Sequence, residues 1–199
     1  VDVSALRTGP VVHLVAPSAV EPWGPLQPEQ TGIGASEEQV VLLSRWLSEL
    51  GARVTVFGHP AQPCVDRGVT YRDVKAWSPE LSSDLLIAHR EPWIAQHETR
   101  AKRVYVWLHD QPDTFLRAAF RPTQGARAPR YLWLTEYMRH VFLARFGDSI
   151  DGPVVRYFLP PCDLELLDPE CMEPSVCYPS APYRGLAELL ELWPRVRAA

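Results

Sequence analysis

Six short apolar runs, set apart by longer mixed segments, limit what this chain can fold into. They are VVHLVAP (11–17), ARVTVFG (52–58), SDLLIAH (83–89), RVYVWLHD (103–110), YLWLTE (131–136) and PVVRYFLP (153–160). Each is short and rich in Val, Ile, Leu and aromatic residues, which suits strands covered on both faces. Between the first two lies SEEQVVLLSRWLSELG (36–51), in which Val40, Leu43, Leu47 and Leu50 recur on one helical face with Trp46 beside them. Ser36 followed by Gln39 supplies a capping box, and Gly51 a stop. A second helix is predicted over 136–146, closed by Gly147. A third starts near Arg184 and meets Pro194, where an early end or a kink is expected. Strands alternating with helices predict the α/β class: a Rossmann-like, open, mostly parallel sheet with helices on both faces.

Composition enters through proline. The chain has 20 prolines among 199 residues, about twice the usual share of roughly 5%. Pro17, Pro22, Pro25 and Pro28 fall close together, which predicts a long ordered loop after the first strand. Residues 162–175 lose helical period and read as a linker. The expected organisation is therefore a domain over 1–161 and the opening of a second over 176–199.

A net charge of −4 and a pI near 5.9 give no electrostatic reason to expect nucleic acid. No apolar run approaches the roughly 18 residues that span a bilayer, so no transmembrane segment is expected. Cys64, Cys162, Cys171 and Cys177 form no CxxC pair or zinc spacing. Free thiols favour the cytoplasm or another reducing compartment, while a Cys171–Cys177 disulfide stays open. The start at Val1 fits either a removed leader or a fragment.

The densest local signal is TGIGASEEQ (31–39), two glycines running into the first helix. It is not a dinucleotide fingerprint: Glu37 stands at the third glycine position, and fourteen residues separate Pro17 from Gly32. No Gly-Lys-Ser/Thr follows, so a phosphate loop of the Walker type is excluded. Two readings remain. Free N–H groups at the helix start attract an anion, or the glycines serve only their backbone angles while Glu37 and Glu38 complement the helix dipole.

A resemblance connects these pieces. GIGASEEQVVLLSRWLSELGARVTVFG resembles the N-terminal signature of family-4-type glycosyltransferases of the GT-B fold, in which a glycine pair and Ser-Glu precede an apolar helix and a Gly-x-x-Val-x-Val strand. VYVWLHD resembles a strand that such enzymes end in His, and LTEYMRHVFLARFG their Ser-x-x-x-Arg helix. PPCDLELL stands where they carry Pro-Asn-Gly-Val-Asp, and SAPYRGLAELLELWPRVRA is similar to the element that opens their second domain. Ala35 and Cys162 depart from the pattern.

The resemblance implies a retaining, metal-independent transferase of a nucleotide-sugar, with this chain as the acceptor-side half. It needs no cofactor beyond the donor itself, and the acceptor stays unknown. It implies that His109 is catalytic and that Gly32, Gly34 and Arg184 approach the donor phosphates. Asp110, Glu37, His59 and His89 become candidate cleft-lining residues. From position alone, His109 reads equally as a histidine opening a loop and bonding its backbone. The family's Glu-x7-Glu element has no counterpart here, Glu188 and Glu191 being too close together. If these residues were the whole protein, the expectation would be a non-catalytic subunit whose incomplete second domain is covered by a protein partner.

Overall fold

The computed structural model describes residues 8–18, 21–30, 32–110, 128–150, 152–156 and 185–198. The chain divides into two compact units, Val1–Pro160 and Pro161–Ala199. In the first unit the elements run β1 (Val11–Val15), α1 (Gln27–Gln30), α2 (Ala35–Glu49), β2 (Arg53–Gly58), β3 (Cys64–Asp66), β4 (Val69–Asp73), β5 (Leu85–His89), β6 (Val104–Leu108), β7 (Arg130–Trp133) and α3 (Glu136–Phe146). In the second, α4 spans Leu186–Ala198. The fold is α/β, with a seven-stranded sheet in the order β3-β4-β2-β1-β5-β6-β7. Every pairing is parallel except β3 with β4.

Register decides which face each side chain shares. Val12 pairs with Val54 and Leu14 with Val56, while Val54 pairs with Val69 and Val56 with Tyr71. The Tyr71 hydroxyl lies 3.1 Å from Ser44 Oγ of α2, so this face packs under α2. Tyr131 and Trp133 sit on the opposite face by the same alternation, and Trp133 packs on Phe142 of α3 with ring centroids 4.8 Å apart. Helices therefore cover both faces. Val12, Leu14, Val40, Val41, Val56, Tyr71, Trp107, Trp133 and Phe142 are all buried in one continuous core.

Five predicted strands and the second helix form close to their expected places. Thr135 caps α3 by accepting from the Met138 N–H at 3.1 Å, and Gly147 ends it at φ 81. The β3–β4 hairpin was not expected. It turns on Arg67 (φ 45) and Gly68 (φ 79), the two positive φ values of a two-residue hairpin loop. The sixth run contributes only a bridge from Val154 to Trp133, and its residues 157–160 lie outside the described residues.

Helix α2 corrects the sequence reading twice. Its N-cap is Gly34, without a side-chain cap, so Ser36 lies inside the first turn and makes no capping box. The buried stripe is also polar: Ser44, Arg45 and Ser48 are buried while Leu50 is 85% exposed. Two serines let the helix sit close to the sheet, and each finds a partner. Ser44 Oγ bonds the Val41 carbonyl and Ser48 Oγ the Arg67 carbonyl. Arg45 reaches Asp66 of β3 and the Pro25 carbonyl, tying the hairpin and the long loop to one helix. Helix α4 runs on through Pro194 to Ala198. The bond that Pro194 cannot make would go to the carbonyl of Leu190, an exposed residue.

Candidate functional site

In the strand order β1 lies between β2 and β5, so the sequence of strands reverses beside it. Open α/β sheets bind ligands outside the carboxyl ends of the strands at such a reversal. Three segments converge there. The loop after β1 is anchored to the end of β2: the His59 ring bonds the Pro17 carbonyl at 2.8 Å, and Trp23 N–H donates to the His59 carbonyl at 2.8 Å. Gly58 makes that packing feasible, since a Cβ there would lie 2.7 Å from the Trp23 ring. His59 is thus committed to holding the loop.

The ends of β5 and β6 supply the imidazoles. Register places His89 beside Trp107, and His109 lies two residues beyond Trp107, on the α2 side of the sheet. The His109 ring centroid is 4.5 Å from those of His89 and of Trp107, both close to perpendicular. His89 is fully buried and bonds the backbone of Ser36 in the first turn of α2. Burial pushes its pKa well below the ordinary value, and the charges of His109 and Arg90 push the same way. Burial, then the Arg90 charge, pushes His109 down to about 3, with Asp110 pulling partly back. Both rings are neutral at pH 7.

Arg90 joins the segments, and the sequence reading passed over it. It follows β5 in the left-handed region (φ 63), with its N–H on the Trp107 carbonyl at 2.8 Å. Its Nε and Nη2 donate to Asp110 Oδ2 and Oδ1 at 2.7 and 3.1 Å. Nη1 meets Ser36 Oγ at 3.3 Å, Glu37 Oε1 at 3.5 Å and the Ser18 carbonyl at 3.5 Å. Burial lowers the guanidinium's pKa, but the pairs with Asp110, Glu37 and Glu91 outweigh it and raise the net value. The available signal was an arginine directly after an internal strand that borders the reversal. Arginine is common at strand ends, and nothing local foretells its positive φ.

The two glycines do different work. Gly32, at φ 75, donates its N–H to the Gln27 carbonyl and closes the turn of α1. Gly34 leaves room for the Glu37 carboxylate, which a Cβ there would overlap. Ser36 Oγ donates to that carboxylate at 2.9 Å. The start of α2 therefore already holds an anionic group, its own. Glu91 completes the rim, accepting from Trp93 Nε1 at 2.5 Å and from Ser18 Oγ. Of the residues singled out from sequence, His89, His109, Asp110, Glu37 and Gly34 come together. His59 and Gly32 shape the loop, and Arg184 lies outside the described residues.

Two cavities lie elsewhere. One of about 920 Å³ opens at the amino ends of β6 and β7, lined by Arg100, Lys102, Arg103 and Arg130 among others. One of about 350 Å³ lies on the sheet face away from α2, where His13, Thr55 and Thr70 form a row across three strands. Among the described residues no group of three metal-ligating side chains comes together, and no helix is long and apolar enough to cross a membrane. No protein-family model, curated protein or solved structure matches this chain.

Proposed function

We propose that the chain is the acceptor-side, Rossmann-like half of a GT-B glycosyltransferase-like protein, moving a sugar from a nucleotide-sugar to an acceptor at the crevice around His109. One observation carries the reading. The histidine that follows β6 lies one strand from the reversal, 4.5 Å from His89, the buried histidine that ends β5 at the reversal and bonds the glycine-led start of α2. These are the segments in which the sequence resembles family-4-type enzymes. With its pKa held down to about 3 the imidazole is a weak base, so its contribution there is to orient an acceptor hydroxyl by hydrogen bonding, and losing such an orienting contact can cost about 100-fold in rate.

Sugar transfer by the native protein, assayed over a panel of nucleotide-sugars, is expected to fall by about 100-fold in His109→Ala through loss of the orienting contact. Normal turnover by that variant would remove His109 from the mechanism. A second reading, an interaction module without catalysis, draws on α4, which exposes Leu190, Leu192 and Val196. Light scattering after size-exclusion chromatography separates the two, because a well-behaved monomer at high concentration counts against an obligatory partner.

A further inference from the structure

Cations also gather away from the crevice. The cavity of about 920 Å³ at the amino ends of β6 and β7 sets Arg100, Lys102, Arg103 and Arg130 against the carboxylates of Glu80 and Glu98. The chain as a whole carries a net charge of −4, so this local excess runs against the sign of the protein. The four cations are not equivalent. Arg100 pairs with Glu80 at 2.9 Å and Lys102 with Asp84 at 2.6 Å. Among the described residues, the guanidiniums of Arg103 and Arg130 meet no carboxylate.

Strand register brings these two arginines together. Arg130 opens β7 directly opposite Tyr105 of β6. Arg103 comes just before β6, and its carbonyl accepts from the Leu86 N–H at 2.9 Å, so the ladder with β5 reaches it. Alternation then puts Arg103 on the face of Tyr105, and so on the face of Arg130. Ordinary sheet spacings set the two Cα atoms roughly 8 Å apart. Like charges held side by side on one face of a sheet repel, and an anion between them removes that cost. Half-buried Ala95, Ala101, Val104 and Tyr105 form the walls, so the cations surround a hollow instead of lying on a flat surface.

We propose that this cavity is a binding site for a small ligand that carries a diphosphate, gripped by Arg103 and Arg130. A guanidinium fork matches a phosphate through two parallel N–H···O bonds. Two forks at this spacing converge on two linked phosphates, and the volume falls within the range of small-molecule sites, about 300–1,000 Å³. The cavity lies at the opposite end of the strands from His109, so the inference does not depend on the transferase reading. Its cations are open to water, which suits reversible binding more than catalysis.

The test is a titration of the intact chain with pyrophosphate at low salt, followed by calorimetry and by backbone amide NMR. One saturable site is expected, with a Kd on the order of 1 mM or tighter. The shifted amides should gather at 97–105 and 128–130, not at 32–38 and 89–91 beside the crevice. Arg103→Gln and Arg130→Gln are each expected to weaken binding by about tenfold, and orthophosphate, which one fork can hold, to bind more weakly by a similar factor. Arg103→Lys keeps the charge without the fork, so it must also lose affinity, whereas Arg195→Ala on α4 must not. Arg103 and Arg130 are exposed, so their variants are expected to fold. Absence of saturation, full affinity in Arg103→Lys, or shifts confined to the crevice overturns the proposal. Phosphatidylglycerol vesicles test a lipid source for the phosphates. Sedimentation of the chain with them, abolished when Arg103→Gln and Arg130→Gln are combined, also overturns it, because a bilayer cannot enter the hollow.

Discussion

At the carboxyl end of the strands, Arg90 keeps 27% of its side chain exposed and divides its guanidinium among Asp110, Glu37 and Ser36. At the amino end, Arg100 and Lys102 keep 66% and 77% exposed, and each meets one carboxylate, Glu80 or Asp84. The larger cavity lies at the amino end, yet water screens its charges and uncouples them from one another. The carboxyl end is roofed by the loop after β1 and the first turn of α2, so its charges act on buried rings at short range. Where groups influence one another's protonation, rather than where space is greatest, chemistry is to be sought.

Acid should separate the two ends most strongly. His89 and His109 hold folded-state pKa values below the ordinary 6.5, His109 at about 3, with burial as the leading cause in both. The unfolded chain therefore takes protons first as pH falls. The stability that these rings contribute is complete above about pH 6.5 and is lost as pH drops toward the folded values. Within that window each histidine costs up to about 1.4 kcal/mol per pH unit, and buried His13 adds in the same sense. Asp84 at the amino end is held below its ordinary 3.8 by Lys102 and the Val11 N–H, so its contribution fades only at lower pH. Urea unfolding at pH 7, 6 and 5 should show a steady loss that His109→Gln reduces. Equal stability across those three values would break the contrast.

Arg90→Ala is the next test. It strands Asp110 and Glu37 near each other in a partly covered site, and the expected loss is about 1–2 kcal/mol, between the values for exposed and buried pairs. Urea unfolding at pH 7 in low salt reads it directly. A loss below about 0.5 kcal/mol would place the crevice pair with the surface pairs.

How much of this was legible depended on what each element buries. β1, β2, β5, β6 and β7 are internal or apolar, and their Val, Leu and aromatic runs reveal them. The β3–β4 hairpin is short and at the sheet edge, with Val65 exposed and Arg72 outward, so it lacks an apolar run; only Gly68 marks its turn. In α2 the apolar pattern set Val40, Leu43 and Leu47 against the core but put exposed Leu50 with them and missed Ser44, Arg45 and Ser48, which are buried through hydrogen bonds that periodicity cannot register. His109 and Asp110 were visible as the abrupt polar end of a strand. Arg90 was not, since its role comes from a backbone angle and from partners 20, 53, 54 and 72 residues away in sequence.

Gly34→Ala probes the crevice more gently. Alanine tolerates the backbone there (φ −59, ψ 143), so the penalty comes from the Glu37 carboxylate, which must leave its place, and from a poorer N-cap. A loss of about 0.5–1 kcal/mol is expected, along with a weaker hold of Glu37 on Arg90. Combined with Glu37→Gln, the two changes should cost less than their sum, because they remove the same contact. Full additivity would mean that Gly34 serves the backbone alone.

The smallest effect belongs to the amino end. Arg100 and Glu80 meet at 2.9 Å, a distance that in isolation suggests a strong pair. Their side chains are 66% and 70% exposed, however, so each loses conformational freedom to make a contact that water nearly replaces. Arg100→Ala is therefore expected to change stability by no more than about 0.5 kcal/mol at low salt and by less at high salt. Measured beside Arg90→Ala in the same urea series, it sets an exposed pair with one carboxylate against a half-covered guanidinium shared among several partners, both with a contact below 3 Å. Equal costs for the two substitutions would show that the roof over the carboxyl end does not strengthen its charges, and the electrostatic case for the crevice would fall with it.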